Sequence, residues 1–492
     1  MTPQSAMLLT IAVPLAASVL ITRAGHWPNL REAISVLTTL VLFALVVSLL
    51  PSVLAGHRPG VELFRVLPGI SLGFGLEPLG MLFALVASGL WIATTIYSIG
   101  YMRAEHELHQ TRFYAFFPIA LASTMGIAFA SNLFTLFVFY EALTLSTYPL
   151  VVHKETPEAR RAGRVYLGLL MGTSIGLLLL AIVWTWAIAG TLSFQPGGIL
   201  AGRVRHQVLP VLLGLYLFGI GKAALMPFHR WLPSAMVAPT PVSALLHAVA
   251  VVKAGVFTVL KVVIYVFGTH LLTRTGASVW LMYVAGFTLV TASLVAMLQD
   301  NLKARLAYST VSQLSYIVLG ATLATRWGII GGSLHLVMHA FGKITLFFCA
   351  GAIAVTTHKT RVSELNGIGW QMPVTMLAFL LATLSVIGLP PGGGAWSKWL
   401  LAMGTIEAHR YLLLAALMAS SLLNVGYLMT IVARAFFLAP EGDGSVAGIR
   451  EAPLSCLVPL GITALGCVVL FFYAQPIVHM LMPLVNVTGS AG

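Results

Sequence analysis

Apolar stretches of about 18 to 25 residues recur along the whole 492-residue chain, separated by short connections. Coiled as an α-helix, each stretch is long enough to cross a hydrocarbon core about 30 Å thick. Hydrophobic residues make up 59% of the chain and charged residues only 8%, which excludes an ordinary soluble protein. The sequence therefore predicts an all-α integral membrane protein with about 14 transmembrane helices and no sizeable soluble domain.

Two of the predicted spans, 208–237 and 373–403, are interrupted by proline, at Pro227 in the first and at Pro390 and Pro391 in the second. The breaks fall in the seventh and twelfth spans, which favours two inverted five-helix repeats, although a break can also be a simple packing feature. The predicted chain then has four parts: N-terminal helices (1–112), a first repeat (113–264), a second repeat (277–437) and a C-terminal helix (454–484).

The charge pattern predicts how the chain lies in the membrane. The net charge is +13, but the basic residues are scattered over many short loops, so membrane topology explains them better than nucleic-acid binding. Loops after odd-numbered spans hold about twice as many Lys and Arg as the others, which predicts both termini outside a cell membrane. The "HKETPEARRAGR" connection, 153–164, is the strongest predicted cytoplasmic anchor, as a solvated loop or a docking surface.

Ionisable residues lie inside several of the apolar stretches, where each costs about 3 kcal/mol to insert. Glu141 stands in "FVFYEALTLS", nine residues after a predicted helix cap at Asn132 and so about 13 Å into its span. Lys222 precedes the first helix break, and Lys398 directly follows the second. A membrane protein without an interior function would avoid such groups at mid-depth.

Further ionisable residues share faces of single helices. "HLVMHAFGK" sets His335, His339 and Lys343 at successive steps of four, on one face. Lys253 is central in an earlier span that also contains His247, which could be a packed polar residue or a proton carrier. With one buried carboxylate against several lysines, the groups cannot all be charged and paired, so some lysines must be neutral part of the time. We interpret the set as a proton relay.

Several assignments within the set have alternatives. We expect Glu141, the only acid predicted to be buried, to pair with Lys222 and to tune its affinity for protons, although the pair could instead clamp two helices. Lys261, near the outer end of its span, is predicted to extend its amine towards the headgroups. His335 and His339 could also form interhelical hydrogen bonds; metal ligation is disfavoured because no third ligand is near.

The sequence shows no motif of a catalytic centre. It lacks HExxH, a serine elbow and a Rossmann glycine pattern, so we predict an ion-transport subunit rather than an enzyme, without a cofactor or metal. The three cysteines stand singly in apolar runs and are expected to be packing residues: Cys349, Cys456 and Cys467.

Four stretches resemble, in chain order, regions of the antiporter-like subunits shared by respiratory complex I, membrane-bound hydrogenases and Mrp-type Na+/H+ antiporters: "FVFYEALTLSTYPLV", "GIGKAALMPFHRWLPSAMVAPTPVSALLHAVAVVKAGVF", "HLVMHAFGKITLFFCAGAI" and "LSVIGLPPGGGAWSKWLL". The resemblance extends from about 75 to 435. It is greatest to the D subunit of Mrp antiporters, through "YSIGYMR", "RFYAFF", "TLSTYPLVVHK" and "GWQMP".

The resemblance implies fourteen helices, two inverted repeats and a mid-membrane polar axis that conducts protons. One departure is Ala395, where the family has an aromatic residue. Lys398 matches a twelfth-helix position that is glutamate in one complex I subunit type. The other matches are the glutamate–lysine pair (Glu141, Lys222), the eighth-helix region (His247, Lys253) and the eleventh-helix relay (His335, His339, Lys343).

The function implied is proton translocation within a multisubunit cation/proton antiporter, with other membrane subunits as partners. The alternative of the same fold is a proton-pumping subunit of complex I or of a membrane-bound hydrogenase, and a structural scaffold is a third possibility. The chain is expected to lack the long lateral helix of the largest complex I subunit. Because Glu141 is the single predicted buried acid, any Na+ site is expected mainly on another subunit.

Overall fold

The computed structural model describes residues 1–439 and 448–485, and helices dominate these ranges. One antiparallel hairpin is present, of strands β1 (Gly60–Leu67) and β2 (Ile70–Gly75). The α-helices are α1 (Pro3–Arg23), α2 (Pro28–Leu54), α3 (Pro78–Ala104), α4 (Gln110–Ala128), α5 (Leu133–Val151), α6 (Pro157–Thr173), α7 (Leu179–Ala189), α8 (Leu209–Gly219), α9 (Trp231–Ser234), α10 (Thr240–Ala244), α11 (Val251–Lys261), α12 (Thr269–Thr275), α13 (Val279–Leu298), α14 (Leu302–Leu323), α15 (Arg326–Thr357), α16 (Ile368–Gln371), α17 (Pro373–Ile387), α18 (Gly394–Glu407), α19 (Tyr411–Asn424), α20 (Thr430–Phe437), α21 (Leu454–Phe472) and α22 (Ala474–Leu481).

Short π-helical segments join several of these helices into longer rods: Ser174–Leu178, Leu245–Val249, Val262–Phe267 and Val425–Met429. Counting such rods as one, ten helices of the described ranges are long and apolar enough to cross a membrane. The predicted multi-pass helical membrane protein is therefore confirmed. The total of about 14 spans, which would also include α4, α14 and two broken helices, stays a prediction, as do the inverted repeats and the four-part division.

The most buried helices lie at the centre of the bundle. In Thr240–Phe267 the whole apolar window is buried, and in Arg326–Thr357 94% of it, against 33% in α2. Polar residues on these central helices consequently face protein rather than lipid. The three cysteines are also buried and free, as expected for packing residues.

The β1–β2 hairpin lies where the sequence predicted only a connection. It docks on the turn between α4 and α5, where the Gly75 amide donates to Phe129 O (2.7 Å) and the Ser131 amide donates to Gly73 O (3.2 Å). Asn132, the predicted cap of α5, accepts from the amide of Thr135. We call this face of the molecule the hairpin side.

The opposite face holds the connection 153–164, and we call it the basic side. Lys154 Nζ lies 3.4 Å from Glu107 Oε1, and Arg112 pairs with Glu155. His153 is only 2% exposed. Burial, and then the charge of Arg112, lower the pKa of His153 to about 4, so this imidazole is neutral at pH 7.

Candidate functional site

The first helix break spans residues 220–230, between α8 and α9, and contains Pro227 as predicted. Side chains form hydrogen bonds with backbone groups of this irregular segment. Trp231 Nε1 donates to Gly221 O (2.9 Å), and the amide of Met226 donates to Thr288 Oγ1 (3.3 Å). This is the condition under which a broken helix is tolerated at membrane depth.

The second break spans residues 388–393, between α17 and α18, and contains Pro390 and Pro391. Gly388 begins it with a φ of +93°, a left-handed conformation that glycine adopts without a steric penalty. Lys398 Nζ donates to Ile387 O (2.9 Å), the carbonyl of the last residue of α17. The lysine thus satisfies one of the carbonyls that the end of the helix leaves free.

Lys222 lies within the first break and is fully buried. Its Nζ donates to Tyr140 O (2.8 Å) and to Thr144 Oγ1 (2.5 Å), and it lies 3.2 Å from the centre of the Tyr140 ring. The amide of Lys222 donates to Tyr140 Oη (3.2 Å). One face of α5 therefore holds this ammonium with a carbonyl, a hydroxyl and an aromatic ring.

Glu141 does not form the predicted ion pair with Lys222. Both of its carboxylate oxygens are buried and have no hydrogen-bond partner among the described residues. Consecutive helical residues point about 100° apart, so Tyr140, which faces Lys222, turns Glu141 away. Glu141 instead shares a face of α5 with Val138 and Leu145, which are 38% and 54% exposed.

A second group of predicted residues gathers around α15. Lys253 Nζ of α11 lies 2.6 Å from His339 Nδ1, and the rings of His339 and His335 stack with centres 5.8 Å apart. Lys343 Nζ donates to Ser309 Oγ (2.6 Å). The structure thus brings together four predicted residues, and all of them are at most 1% exposed.

Two amides connect this group to Lys398. His335 Nε2 lies 3.1 Å from Gln313 Oε1, and His335 Nδ1 lies 2.8 Å from Ser397 Oγ. The Asn424 amide is oriented so that its oxygen accepts from Gln313 Nε2 (2.9 Å) and from Lys398 Nζ (3.0 Å). One hydrogen-bonded path therefore runs from His335 to Lys398.

The same Asn424 leads to Lys343. Its amide nitrogen donates to Tyr427 Oη (2.5 Å), and Tyr427 Oη donates to Ser309 Oγ (2.8 Å), which also accepts from Lys343. Sequence reasoning missed these neutral connectors because no charge marks them. Their signal was polarity inside apolar helices, in "STVSQLSY" and "SSLLNVGY", where an amide must find partners.

Helix α11 lies between the two groups. A Cβ on Gly255 would be 2.4 Å from the carbonyl carbon of Lys222, so the first break packs against this glycine. Two residues earlier, Lys253 contacts His339 in the second group. His247 is fully buried nearby, its ring centre 4.7 Å from that of Phe347, and both of its ring nitrogens are unbonded within the described residues.

Comparison with known proteins identifies the family of this chain. The sequence pattern of the family described as "NADH:quinone oxidoreductase/Mrp antiporter, TM" matches residues 130–424. The chain belongs to this family. It is 33% identical over 419 residues to the NADH-quinone oxidoreductase subunit N of Desulforudis audaxviator, with 82% of each chain covered.

Solved structures of this antiporter-like family share the fold. A chain of the Mrp complex from Dietzia sp. superposes with a TM-score of 0.88 at 21% identity, covering 99% of this chain and 98% of the other. A chain of the membrane-bound sulfane sulfur reductase, an archaeal respiratory membrane complex, gives 0.86 at 25% identity, covering 98% of each. The predicted resemblance is confirmed, and these relatives are subunits of multisubunit membrane complexes.

Two expectations about charge in this antiporter-like subunit are wrong. Glu141 is not the sole buried acid, because Glu77 and Glu32 are 8% and 5% exposed. Lys261 is not directed to the headgroups: it is 1% exposed, and its Nζ lies 2.9 Å from Glu77 Oε1. The reason is that Lys261 points into the bundle, where Glu77 supplies a counter-charge. Glu32 pairs with Arg103 on the basic side.

Proposed function

We propose that this antiporter-like subunit moves protons across the membrane within a multisubunit cation/proton antiporter of the Mrp type. The observation that carries the proposal is the buried network from Lys343 through Tyr427, Asn424 and Gln313 to His335. Ionisable groups buried in a membrane bundle are costly, and chains of them are typical of proton relays.

The contacts define which groups can exchange protons. Between Lys253 Nζ and His339 Nδ1, 2.6 Å apart, one atom must donate and the other accept, so the two share one proton. His339 can take a proton at Nδ1 and release one from Nε2, which is unbonded in the described structure. This pair is therefore the step at which a proton passes from α11 to α15.

The network also assigns the tautomer of His335. Gln313 presents its carbonyl oxygen to His335 Nε2 and its NH2 group to Asn424, so His335 Nε2 carries the hydrogen. Ser397 Oγ lies 2.8 Å from His335 Nδ1 and 3.1 Å from Gly394 O, and can donate its single hydrogen to either acceptor. In the proposed relay, a proton arriving at Nδ1 gives an imidazolium that the neighbouring amide oxygen stabilises.

The Mrp assignment rests on the sequence resemblance to the D subunit, and lysine at the position of Lys398 argues only against the complex I subunit type that has glutamate there. A redox-driven pump is the second candidate, because the chain is 33% identical to a complex I subunit N. For a Na+ site, the two additional buried acids change little, since Glu77 and Glu32 are already paired with basic side chains. We therefore still place such a site mainly on another subunit.

The deciding experiment purifies the native complex through an affinity tag on this chain. Other antiporter subunits without redox cofactors would support the Mrp assignment, whereas iron–sulfur or nickel–iron proteins would favour the redox-driven pump. Both candidates then require proton movement in liposomes to fail when Lys222→Ala is introduced. A wild-type rate in that variant would instead support a structural scaffold.

A further inference from the structure

A buried ion pair with a phenol lies beneath the hairpin, apart from the residues discussed above as a relay. Glu77 Oε1 accepts from Lys261 Nζ (2.9 Å) and from the amide of Gly80 (3.0 Å), and Glu77 Oε2 accepts from Tyr265 Oη. Lys261 Nζ also donates to Ala130 O (3.2 Å). We call Glu77, Lys261 and Tyr265 the Glu77 cluster; none of the three is more than 8% exposed.

Backbone hydrogen bonds hold together the segments that surround this cluster on the hairpin side. The amides of Ile199 and Leu200 donate to Tyr265 O (3.3 Å) and Val266 O (3.0 Å). These bonds join the segment after α7 to the end of the continuous helix Thr240–Phe267, which contains α11 and which we call the α11 rod. The hairpin itself is bonded to the α4–α5 turn, and Glu77 follows two residues after β2. Only Leu76 therefore separates Glu77 from the hairpin, whose first strand is largely exposed.

The cluster stands on the same helix as the centre of the relay. Lys261 is eight residues after Lys253 in α11, which is a rise of about 12 Å and a turn of about 80° around the helix axis. Lys253 contacts His339 at the middle of the bundle, whereas Lys261 ends α11 on the hairpin side. One helix thus presents a buried amine at the centre and another next to the surface.

We propose that the Glu77 cluster is the site where the relay exchanges protons with the aqueous phase on the hairpin side, an inference that rests on the proposed function. The Lys261 ammonium transfers a proton to the Glu77 carboxylate, leaving a neutral amine and a carboxylic acid. The acid then gives the proton to water on the hairpin side and becomes a carboxylate again. The amine regains a proton from the relay, so each cycle moves one proton, and all steps reverse for uptake.

The alternative is a clamp that only fixes α3 to α11. A clamp needs a permanent charge on Lys261, whereas proton exchange needs that charge to be lost and regained. Arginine separates the two, because its guanidinium keeps its charge in proteins and can still pair with Glu77. Arg58, before β1, also acts electrostatically on Tyr265, and it is unchanged in the test.

The test uses the full complex in liposomes with a pH-sensitive dye, and the pH on each side is set separately. For Lys261→Arg we expect normal assembly, proton flux about tenfold lower, and loss of the dependence on the pH of the hairpin side alone. Lys154→Arg is the matched control, since Lys154 also pairs with a glutamate but is 42% exposed on the basic side. It should transport like the wild type.

A wild-type rate and pH dependence in Lys261→Arg would show a clamp and overturn the inference. Lys222→Ala in the same assay separates this from failure of the proposed function. If that variant is inactive while Lys261→Arg is active, the exchange site alone is wrong. If both transport normally, the proposed relay itself is wrong.

A second variant, in which both charged residues are replaced by uncharged ones, tests the inference if Lys261→Arg does not assemble. Replacing a buried ion pair by uncharged residues of similar size is often tolerated, so Glu77→Gln with Lys261→Met should still assemble. We expect this double variant to lose about tenfold in proton flux. Wild-type flux would contradict the inference, and so would failure of both variants to assemble, because the pair would then serve the fold.

Discussion

Each helix break is associated with a buried lysine, Lys222 within the first break and Lys398 in the helix after the second, but the surroundings of the two lysines differ. The Nζ of Lys222 donates to a backbone carbonyl and a hydroxyl of α5, and makes no hydrogen bond to another titratable side chain in the described structure. Lys398 also binds a backbone carbonyl, yet it continues through Asn424 to His335 and Lys343. Two similar interruptions of the backbone are therefore associated with different sites: Lys222 is isolated, and Lys398 belongs to a hydrogen-bonded network.

For the proposed relay, this difference predicts two ways of passing a proton. In the connected region, Lys343, His335 and Lys398 already belong to one hydrogen-bonded network, so the proposed transfer takes place within that network. At Lys222 the ammonium must leave Tyr140 O and Thr144 before it can reach another base, so a conformational step is required. Four substitutions test this contrast, from the largest expected effect to the smallest.

Removing the isolated amine should have the largest effect. We expect Lys222→Ala to lower proton flux in liposomes about 100-fold or more, because no bonded neighbour can replace it. The flux is measured with a pH-sensitive dye and normalised to assembled complex. Lys154→Ala, which removes an exposed lysine on the basic side, is the control; a loss of equal size there would show that lysine removal acts generally.

Interrupting the connected region should have a smaller effect. Asn424→Leu removes the link from Lys398 to Gln313 and to Tyr427, and leaves polar groups unpaired. We expect proton flux about tenfold lower and a free energy of unfolding about 1–3 kcal/mol lower. Gln299→Leu, a partly exposed amide at the end of α13, is the matched control. Unchanged flux in Asn424→Leu would mean that the observed network is not the route.

The variant Glu141→Gln tests whether the negative charge of Glu141 affects Lys222 without a direct contact. Glu141→Gln should preserve the fold, since its oxygens have no hydrogen-bond partner to lose. We expect flux about fivefold lower, because a nearby negative charge no longer favours the protonated lysine. Circular dichroism checks the fold and the liposome assay checks the flux. A loss of proton flux as large as that of Lys222→Ala would indicate that Glu141 and Lys222 interact directly.

A change remote from both lysines should leave transport intact and affect stability only in acid. The folded chain keeps His153 neutral down to about pH 4, whereas the unfolded chain takes up a proton below about 6.5. Stability is therefore lost as the pH falls through this window, by about 2–3 kcal/mol. His153→Gln should abolish that part of the loss, measured as unfolding midpoints at pH 7 and 4.5. An identical acid loss in both proteins would exclude His153 as its source.

Much of the architecture could be predicted because its signals are local. Proline and glycine mark both helix breaks, and charges in apolar runs mark Lys222, Lys253 and Lys343. The hairpin escaped prediction because "VELFRVLPGISLGFG" lacks a clean alternation of polar and apolar residues, and its strands are completed by backbone bonds to a distant turn.

Relations between helices were harder to predict. The sequence places Glu141 and Tyr140 side by side, but only the packing of α5 decides which of them faces Lys222. Glu77 resembles an ordinary helix cap, and it does cap α3, yet the tertiary fold also brings Lys261 to it. Asn424 and Gln313 can be recognised as members of the network only in the structure, where their side chains form a hydrogen bond.

The π-helical turn Leu245–Val249 sets the register of everything that follows it on the α11 rod. Such a turn holds one residue more than an α-helical turn, so deleting a single residue there could restore regular α-helix. Because the wide turn already accommodates that residue, the deletion would leave Lys253 and Lys261 close to their present orientation, whereas a deletion in the α-helix between the turn and Lys253 would rotate both by about 100° and shift them by about 1.5 Å. The turn therefore tolerates a change of length that the following α-helix does not, since a deletion in that helix would turn both amines away from their partners.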